Sequence, residues 1–129
     1  MENKQNLRAE IERMTNTSVL KCMRCGKCTA TCPNYDEMEY HPHQFIYLIE
    51  RGDTEKLLQS DSIFKCLSCM ACVERCPRQV EPANIIEAVR LIKIRQQGKN
   101  HFKPEQVANV LDEELPAQAL TSAFRKYSK

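Results

Sequence analysis

Apolar residues recur along this chain with the spacing of helices. In residues 3–15, Leu7, Ile11 and Met14 follow the pattern i, i+4, i+7 within an otherwise polar segment. The pattern predicts an amphipathic helix with a narrow apolar face. A helix of this kind either folds back onto a small core or meets another protein chain.

Two further helices are predicted in the middle of the chain. Pro42 suits the first turn of one and Gly52 its C-terminal stop, and Asp53 stands where it can cap the next. Their apolar positions are Phe45, Ile46, Leu48, Ile49, Leu57 and Leu58. Both helices therefore have enough apolar residues to contribute to a core.

The last third of the chain predicts three more helices. One runs from Pro82 through Gln97 and is closed by Gly98, and one more begins at each of Pro104 and Pro116. The wide apolar face of the first is formed by Ile85, Ile86, Ala88, Val89 and Ile92. The C-terminal segment repeats a narrow stripe with Leu120, Phe124 and Tyr127. With two narrow stripes flanking a small domain, we expect at least one of them to bind another protein chain.

The predicted fold class is all-α. No segment alternates apolar and polar residues between Asn-Gly or Asp-Gly turns, as a β-hairpin does. The 129 residues are enough for one compact domain with helical extensions. We expect an N-terminal helical extension over residues 1–17, a domain over residues 18–98 and a C-terminal helical extension over residues 99–129.

Eight cysteines give the chain its most specific pattern. They form two runs, namely Cys22, Cys25, Cys28 and Cys32 before Pro33, and Cys66, Cys69, Cys72 and Cys76 before Pro77. Both runs read C-x2-C-x2-C-x3-C-P, so the chain carries an internal duplication with a period of 44 residues. Every cysteine belongs to one of the two copies.

This spacing is typical of [4Fe-4S] clusters. Three thiolates spaced along one tight turn bind three irons, and in two-cluster proteins the cysteine before proline binds the other cluster. The pattern therefore predicts two [4Fe-4S] clusters with crossed ligands. One is held by Cys22, Cys25, Cys28 and Cys76, and the other by Cys66, Cys69, Cys72 and Cys32. Because its loops close around metal, the chain is expected to lose its fold when stripped of iron.

Two other uses of eight cysteines are less consistent with the pattern. Two zinc ions would need eight ligands, but zinc leaves the third cysteine at x2 spacing and the trailing proline unexplained. A disulfide framework would need an oxidising compartment. The N-terminus lacks the apolar run of a signal peptide, so we expect a cytoplasmic protein with reduced thiols.

Composition excludes several classes of function. The formal net charge is +2 and basic residues are not clustered, so no nucleic-acid partner is expected. Only three glycines are present, which excludes a G-x-G-x-x-G or Walker phosphate loop. No apolar stretch approaches the roughly 20 residues that span a bilayer, so direct membrane insertion is not expected.

Charged and histidine side chains near the motifs give weaker evidence of a function. We expect surface positions for His41, His43 and His101 because they lie in polar segments. The basic residues within and beside the cysteine runs are Arg24, Lys27, Arg75 and Arg78. They are interpreted as solvated charges, with docking of a partner or a raised cluster potential as the alternative.

The segment between the two runs selects a type of ferredoxin. Residues 33–65 contain one glycine and two helix-like segments, whereas the small bacterial ferredoxin has hairpins there. An α-helical ferredoxin fits better. The pair CMRCGKCTATCP and CLSCMACVERCP, in a short helical chain, resembles the dicluster iron–sulfur subunit of heterodisulfide reductase and its bacterial relatives. The resemblance covers about residues 18–98.

This resemblance implies a function in electron transfer. In the heterodisulfide reductase family, two [4Fe-4S] clusters connect a flavin-containing iron–sulfur subunit to a catalytic subunit, whose unusual clusters are bound by CCG repeats. This chain has no CCG repeat, so no catalytic site of its own is expected. The same module occurs in iron–sulfur subunits of quinone-linked dehydrogenases. Membership of such a dehydrogenase, or the function of a freestanding dicluster ferredoxin, is therefore the alternative.

Overall fold

The computed structural model describes residues 2–95, 104–109 and 112–127 of the chain. These residues form helices and turns and contain no strand, which confirms the predicted all-α fold class. The helices are α1 (Glu2–Thr15), α2 (Lys27–Ala30), α3 (Pro42–Glu50), α4 (Thr54–Gln59), α5 (Ser62–Lys65), α6 (Ala71–Arg75), α7 (Pro82–Ile94) and α8 (Ala117–Tyr127). Short 3-10 segments lie at Val19–Lys21, Tyr35–Glu37 and Pro104–Asn109. None of the described helices is long and apolar enough to cross a bilayer.

The proline signals locate helix starts well. Helix α3 begins at Pro42 and α7 at Pro82, while α8 follows directly after Pro116. At Pro104 the chain starts a 3-10 segment, not an α-helix. Helix α7 ends at Ile94 and Arg95 is in a turn, short of the predicted end at Gln97, while Gln97 and Gly98 themselves lie outside the described residues. The short helices α2, α5 and α6 were not predicted, because four or five residues are too few to show a helical period.

The chain divides into two compact units, Met1–Ile94 and Arg95–Lys129. In the first unit α7 packs against α1, α3, α4 and α5. Its buried apolar core is formed by Ile11, Val19, Met38, Phe45, Ile46, Leu48, Ile49, Leu57, Ile63, Val80, Ile85, Ile86, Ala88 and Val89. In the second unit, the side chains of Phe124 and Tyr127 lie outside the described ones.

The N-terminal helix α1 folds back onto the core of the first unit. Its central apolar residue, Ile11, is completely buried, while Met14 stays exposed. Ile11 is thus the only residue of this narrow stripe that is fully buried. The N-terminal stripe is thus used in part within the chain, and the expected contact of one of the two stripes with another protein stays a prediction.

Two charged side chains fix the segments that lead into the cysteine runs. The Glu12 carboxylate of α1 accepts hydrogen bonds from the Val19 N–H (3.0 Å) and the Ser18 hydroxyl (2.9 Å). The Arg90 guanidinium of α7 donates to the Ile63 carbonyl (2.8 Å) and the Cys66 carbonyl (3.0 Å). Both contacts tie the residues at the start of a run to a long helix, so each run starts from a rigid position.

The core makes a direct prediction for the two phenylalanines of the first unit. Phe45 is completely buried in α3, whereas Phe64 in α5 is 51% exposed and lies under the Lys93 ammonium. Phe45→Ala should lower the free energy of unfolding by about 3–5 kcal/mol, because it leaves a cavity in the core. Phe64→Ala is the matched control and should cost less than about 1 kcal/mol. Denaturation of the iron-loaded protein followed by circular dichroism measures both; equal losses would contradict the assignment of the core.

Candidate metal centre

Four cysteines line each of two cavities. The first is lined by Cys22, Cys25, Cys28 and Cys76 and the second by Cys32, Cys66, Cys69 and Cys72. The cavities contain about 360 and 350 Å³ of space free of protein atoms, part of it open to solvent. None of the eight cysteines forms a disulfide bond. The structure thus brings together the same two sets of four that the crossed assignment predicts, while iron binding by these sets stays a prediction.

The crossing depends on the pairing of two short helices. The third cysteine of each run lies in such a helix, Cys28 in α2 and Cys72 in α6. The fourth cysteine, Cys32 or Cys76, follows just after the helix ends. Because α2 packs against α6, each helix delivers its fourth cysteine to the cavity of the other run. One run alone therefore cannot complete either cavity.

Left-handed backbone conformations recur at equivalent positions of the two runs. Arg24 (φ 57°) corresponds to Ser68 (φ 54°), and Gly26 (φ 73°) corresponds to Met70 (φ 62°). Such turns aim successive backbone N–H groups at one point, a geometry that binds anions, iron–sulfur clusters included. The Arg24 N–H already donates to the Cys22 sulfur at 3.4 Å. The turns thus supply the hydrogen-bond donors that a negatively charged cluster needs.

Glycine at position 26 serves the backbone conformation. A Cβ at this position would meet no protein atom within 4 Å. Met70 takes the same left-handed conformation with a full side chain, although it costs a non-glycine residue roughly 1–2 kcal/mol. The conformation itself, and not free space in the protein, is therefore what both runs require at this position.

Burial raises the pKa of three of the cysteine thiols above the ordinary value. It raises the pKa of Cys72 to about 11, against a smaller lowering by the Ala83 N–H. Burial likewise raises the pKa of Cys28 and of Cys32, each offset in part by nearby N–H groups. These thiols are protonated at neutral pH until a metal displaces the proton. Metal loading therefore releases protons and becomes more favourable as the pH rises.

Comparison with known families supports [4Fe-4S] clusters as the cofactor. Residues 18–80, which include both cysteine runs, match the family model of the 4Fe-4S dicluster domain. This match supports an electron-transferring iron–sulfur protein of the ferredoxin type. No curated protein matches this chain. The cysteines of this chain fit [4Fe-4S] clusters chemically, because each cavity offers four thiols, backbone N–H donors and apolar side chains. Such clusters carry single electrons when bound.

His43 is not the surface residue that the polar sequence around it predicts. It is half-buried and lines the first cavity, with its Nδ1 atom 2.7 Å from the Thr29 hydroxyl. Burial lowers the pKa of His43, and the neighbouring His41 lowers it further. His41 is also half-buried and packs beside Tyr35, while His101 lies outside the described residues. Neither His41 nor His43 is the fully exposed residue that was predicted, and His43 lies at the first cavity because α3 turns it towards α2.

Of the four basic residues near the runs, Arg24 contacts other side chains. Its guanidinium forms a salt bridge with Glu50 at 3.1 Å and stacks over the Tyr47 ring. Lys27 and Arg78 line the first cavity. Lys27 also borders an open groove with Arg75, where α2 meets α6. The cysteine runs thus place positive charge mainly beside one cavity.

Removing one crossed ligand tests the pairing. Cys76→Ser should abolish the cluster that Cys22, Cys25 and Cys28 help to hold, because the fourth thiolate is lost, and leave the other cluster intact. The protein should then contain about half of its iron and retain one electron paramagnetic resonance signal upon reduction. Cys32→Ser is the matched control and should remove the other signal. Selective loss of the second cluster in Cys76→Ser would contradict the crossed assignment.

Iron removal should loosen the motifs more than the helical core. Residues 22–32 contain no buried side chain and residues 66–79 contain only Cys72, whereas α3 and α7 contain most of the core. After chelation under reducing conditions, hydrogen exchange should accelerate strongly in both runs and much less in α3 and α7. Uniform fast exchange over the whole unit would instead support the complete loss of fold expected from the sequence.

Proposed function

We propose that this chain is the electron-transfer subunit of a heterodisulfide-reductase-like complex. It relays electrons through two [4Fe-4S] clusters between a flavin-containing iron–sulfur subunit, called here the flavin subunit, and a catalytic subunit with CCG domains, called here the CCG subunit. Cys22, Cys25, Cys28 and Cys76 hold one cluster, and Cys32, Cys66, Cys69 and Cys72 hold the other. The chain itself binds no substrate, and its own residues position the clusters and exclude water from their inner sides.

One observation carries the proposal: each cavity reaches the surface through an exposed cysteine. Cys25 is exposed at the first cavity and Cys69 at the second. A relay requires two such points, one that accepts an electron and one that passes it on. The internal duplication provides both, one at each cavity.

Large apolar side chains are exposed beside both cavities. Met23 (60% exposed) lines the first cavity, and Leu67 (64% exposed) occupies the equivalent position at the second. Met70 is also exposed at the second cavity. Leu20 and Phe64, each two residues before the first cysteine of its run, are exposed as well. Exposed apolar residues grouped at functional points are typical of protein interfaces. They favour two lasting contacts with partner proteins over a freely diffusing carrier.

Purification of the tagged chain at its native level tests this proposal. A flavoprotein and a CCG-domain protein should co-purify with it, together with about eight irons and eight sulfides per chain, four of each for a cluster. Met23→Glu and Leu67→Glu should each release a different one of the two partners, because each places a charge in one interface, while the iron content stays unchanged. Lys56→Glu on α4 is the control away from the cavities.

Three outcomes would contradict it. An isolated monomer that carries both clusters would favour the freestanding ferredoxin. Co-purification with a membrane-anchored quinone-reducing enzyme would favour membership of a quinone-linked dehydrogenase. A colourless protein that contains stoichiometric zinc would exclude all of these functions, since none of them is possible without clusters that take up electrons.

A further inference from the structure

The two cavities have the same ligands but different walls. Apart from its cysteines, the second cavity is lined only by Pro, Met, Leu, Ala and Ile side chains. The first cavity is lined in addition by Lys27, His43 and Arg78. The two copies have diverged at this point, because Ala71 occupies the position equivalent to Lys27.

The positive charges at the first cavity are not neutralised. Lys27 and Arg78 are exposed, and the described side chains include no carboxylate that forms a salt bridge with either. Arg78 uses its Nε atom to bind the Lys21 carbonyl at 3.2 Å, which holds its charge near Cys22. Arg90, which donates to the Cys66 carbonyl of the second run, is paired with Glu87 at 2.8 Å. Among the residues that line the two cavities, positively charged side chains therefore occur at the first cavity only.

Hydrogen bonding adds to the inequality. Thr29 directly follows Cys28 in α2, and its hydroxyl can donate a hydrogen bond there. His43 holds the hydroxyl, with its backbone N–H 3.3 Å and its Nδ1 atom 2.7 Å from the Thr29 oxygen. These contacts fix the Thr29 side chain on the helical turn that carries Cys28. The equivalent of Thr29 in the second run is Val73, which has no hydroxyl.

Charge and hydrogen bonds act in the same direction on a cluster's potential. Reduction adds one negative charge to the thiolate-bound group. Nearby cations and hydrogen-bond donors stabilise that added charge, whereas an apolar wall of low dielectric disfavours it. A site with both features accepts an electron more readily than a site with neither.

We infer that Lys27, Arg78 and the Thr29 hydroxyl make the two clusters unequal, so that the ligand set Cys22, Cys25, Cys28 and Cys76 holds the cluster of higher potential. An electron delivered by the reduced flavin subunit at the second cavity then moves to the first, from which the CCG subunit takes it. In that transfer the second site is oxidised by one electron, the first is reduced by one, and no proton or atom moves with it. This inference rests on the proposed function, since it assigns a direction to that relay.

A redox titration of the iron-loaded full-length chain, followed by electron paramagnetic resonance, measures both potentials. Cys76→Ser and Cys32→Ser identify which potential belongs to which ligand set, because each retains one cluster. Two separate midpoints are expected, with the higher one missing in Cys76→Ser. A single shared midpoint, or a higher midpoint missing in Cys32→Ser, would overturn the inference without affecting the relay. A chain that holds only one cluster would contradict the proposed function instead.

The duplication supplies matched variants that separate charge from folding. Lys27→Ala should lower the higher midpoint and Ala71→Lys should raise the lower one, and the double exchange should narrow or reverse the gap. Thr29→Val should lower the higher midpoint, while Thr29→Ser, which retains the hydroxyl, should restore it. Lys56→Gln removes a charge on α4 and should move neither midpoint. If the Lys27 and Thr29 variants shift both midpoints equally or not at all, the side chains around the cavities do not determine which cluster has the higher potential.

Discussion

The exchange of one cysteine between two helical turns is the constraint on which the rest of this structure depends. Because α2 packs against α6, each turn gives its last thiol to the cavity of the other run. The two sites are therefore parts of one unit, and the distance between them is fixed by a helix pairing instead of a flexible loop. A fixed separation is what a relay of single electrons needs.

Helix α7 connects this pair of sites to the fold. Its face buries Ile85 and Val89 in the core, while Pro82 reaches the first cavity and Ala83 and Ile86 line the second. The same helix donates through Arg90 to the carbonyl of Cys66. Core packing and site geometry thus share one element, so a change that shifts α7 moves the walls of both cavities together.

The sequence could predict those features that leave a local or periodic signal. Proline positions predicted the starts of α3 and α7, and the cysteine spacing predicted how the thiols would group. The left-handed conformations of Arg24, Ser68 and Met70 could not be predicted, because these residue types disfavour it and only the surrounding turn imposes it. The position of His43 at the first cavity depends on how α3 packs, which its polar neighbours in sequence do not reveal.

Comparison of the two runs separates what a cluster site requires from what tunes it. Cysteine spacing and left-handed turns are the same in both, even where Met70 must adopt a conformation that Gly26 adopts without cost. The side chains around them differ, with Lys27 against Ala71 and Thr29 against Val73. A duplicated site that only stored iron would have no reason to differ in charge and hydroxyl content beside otherwise equal ligands. Two unequal walls around equal ligands are what a relay needs if electrons are to move through it in one direction.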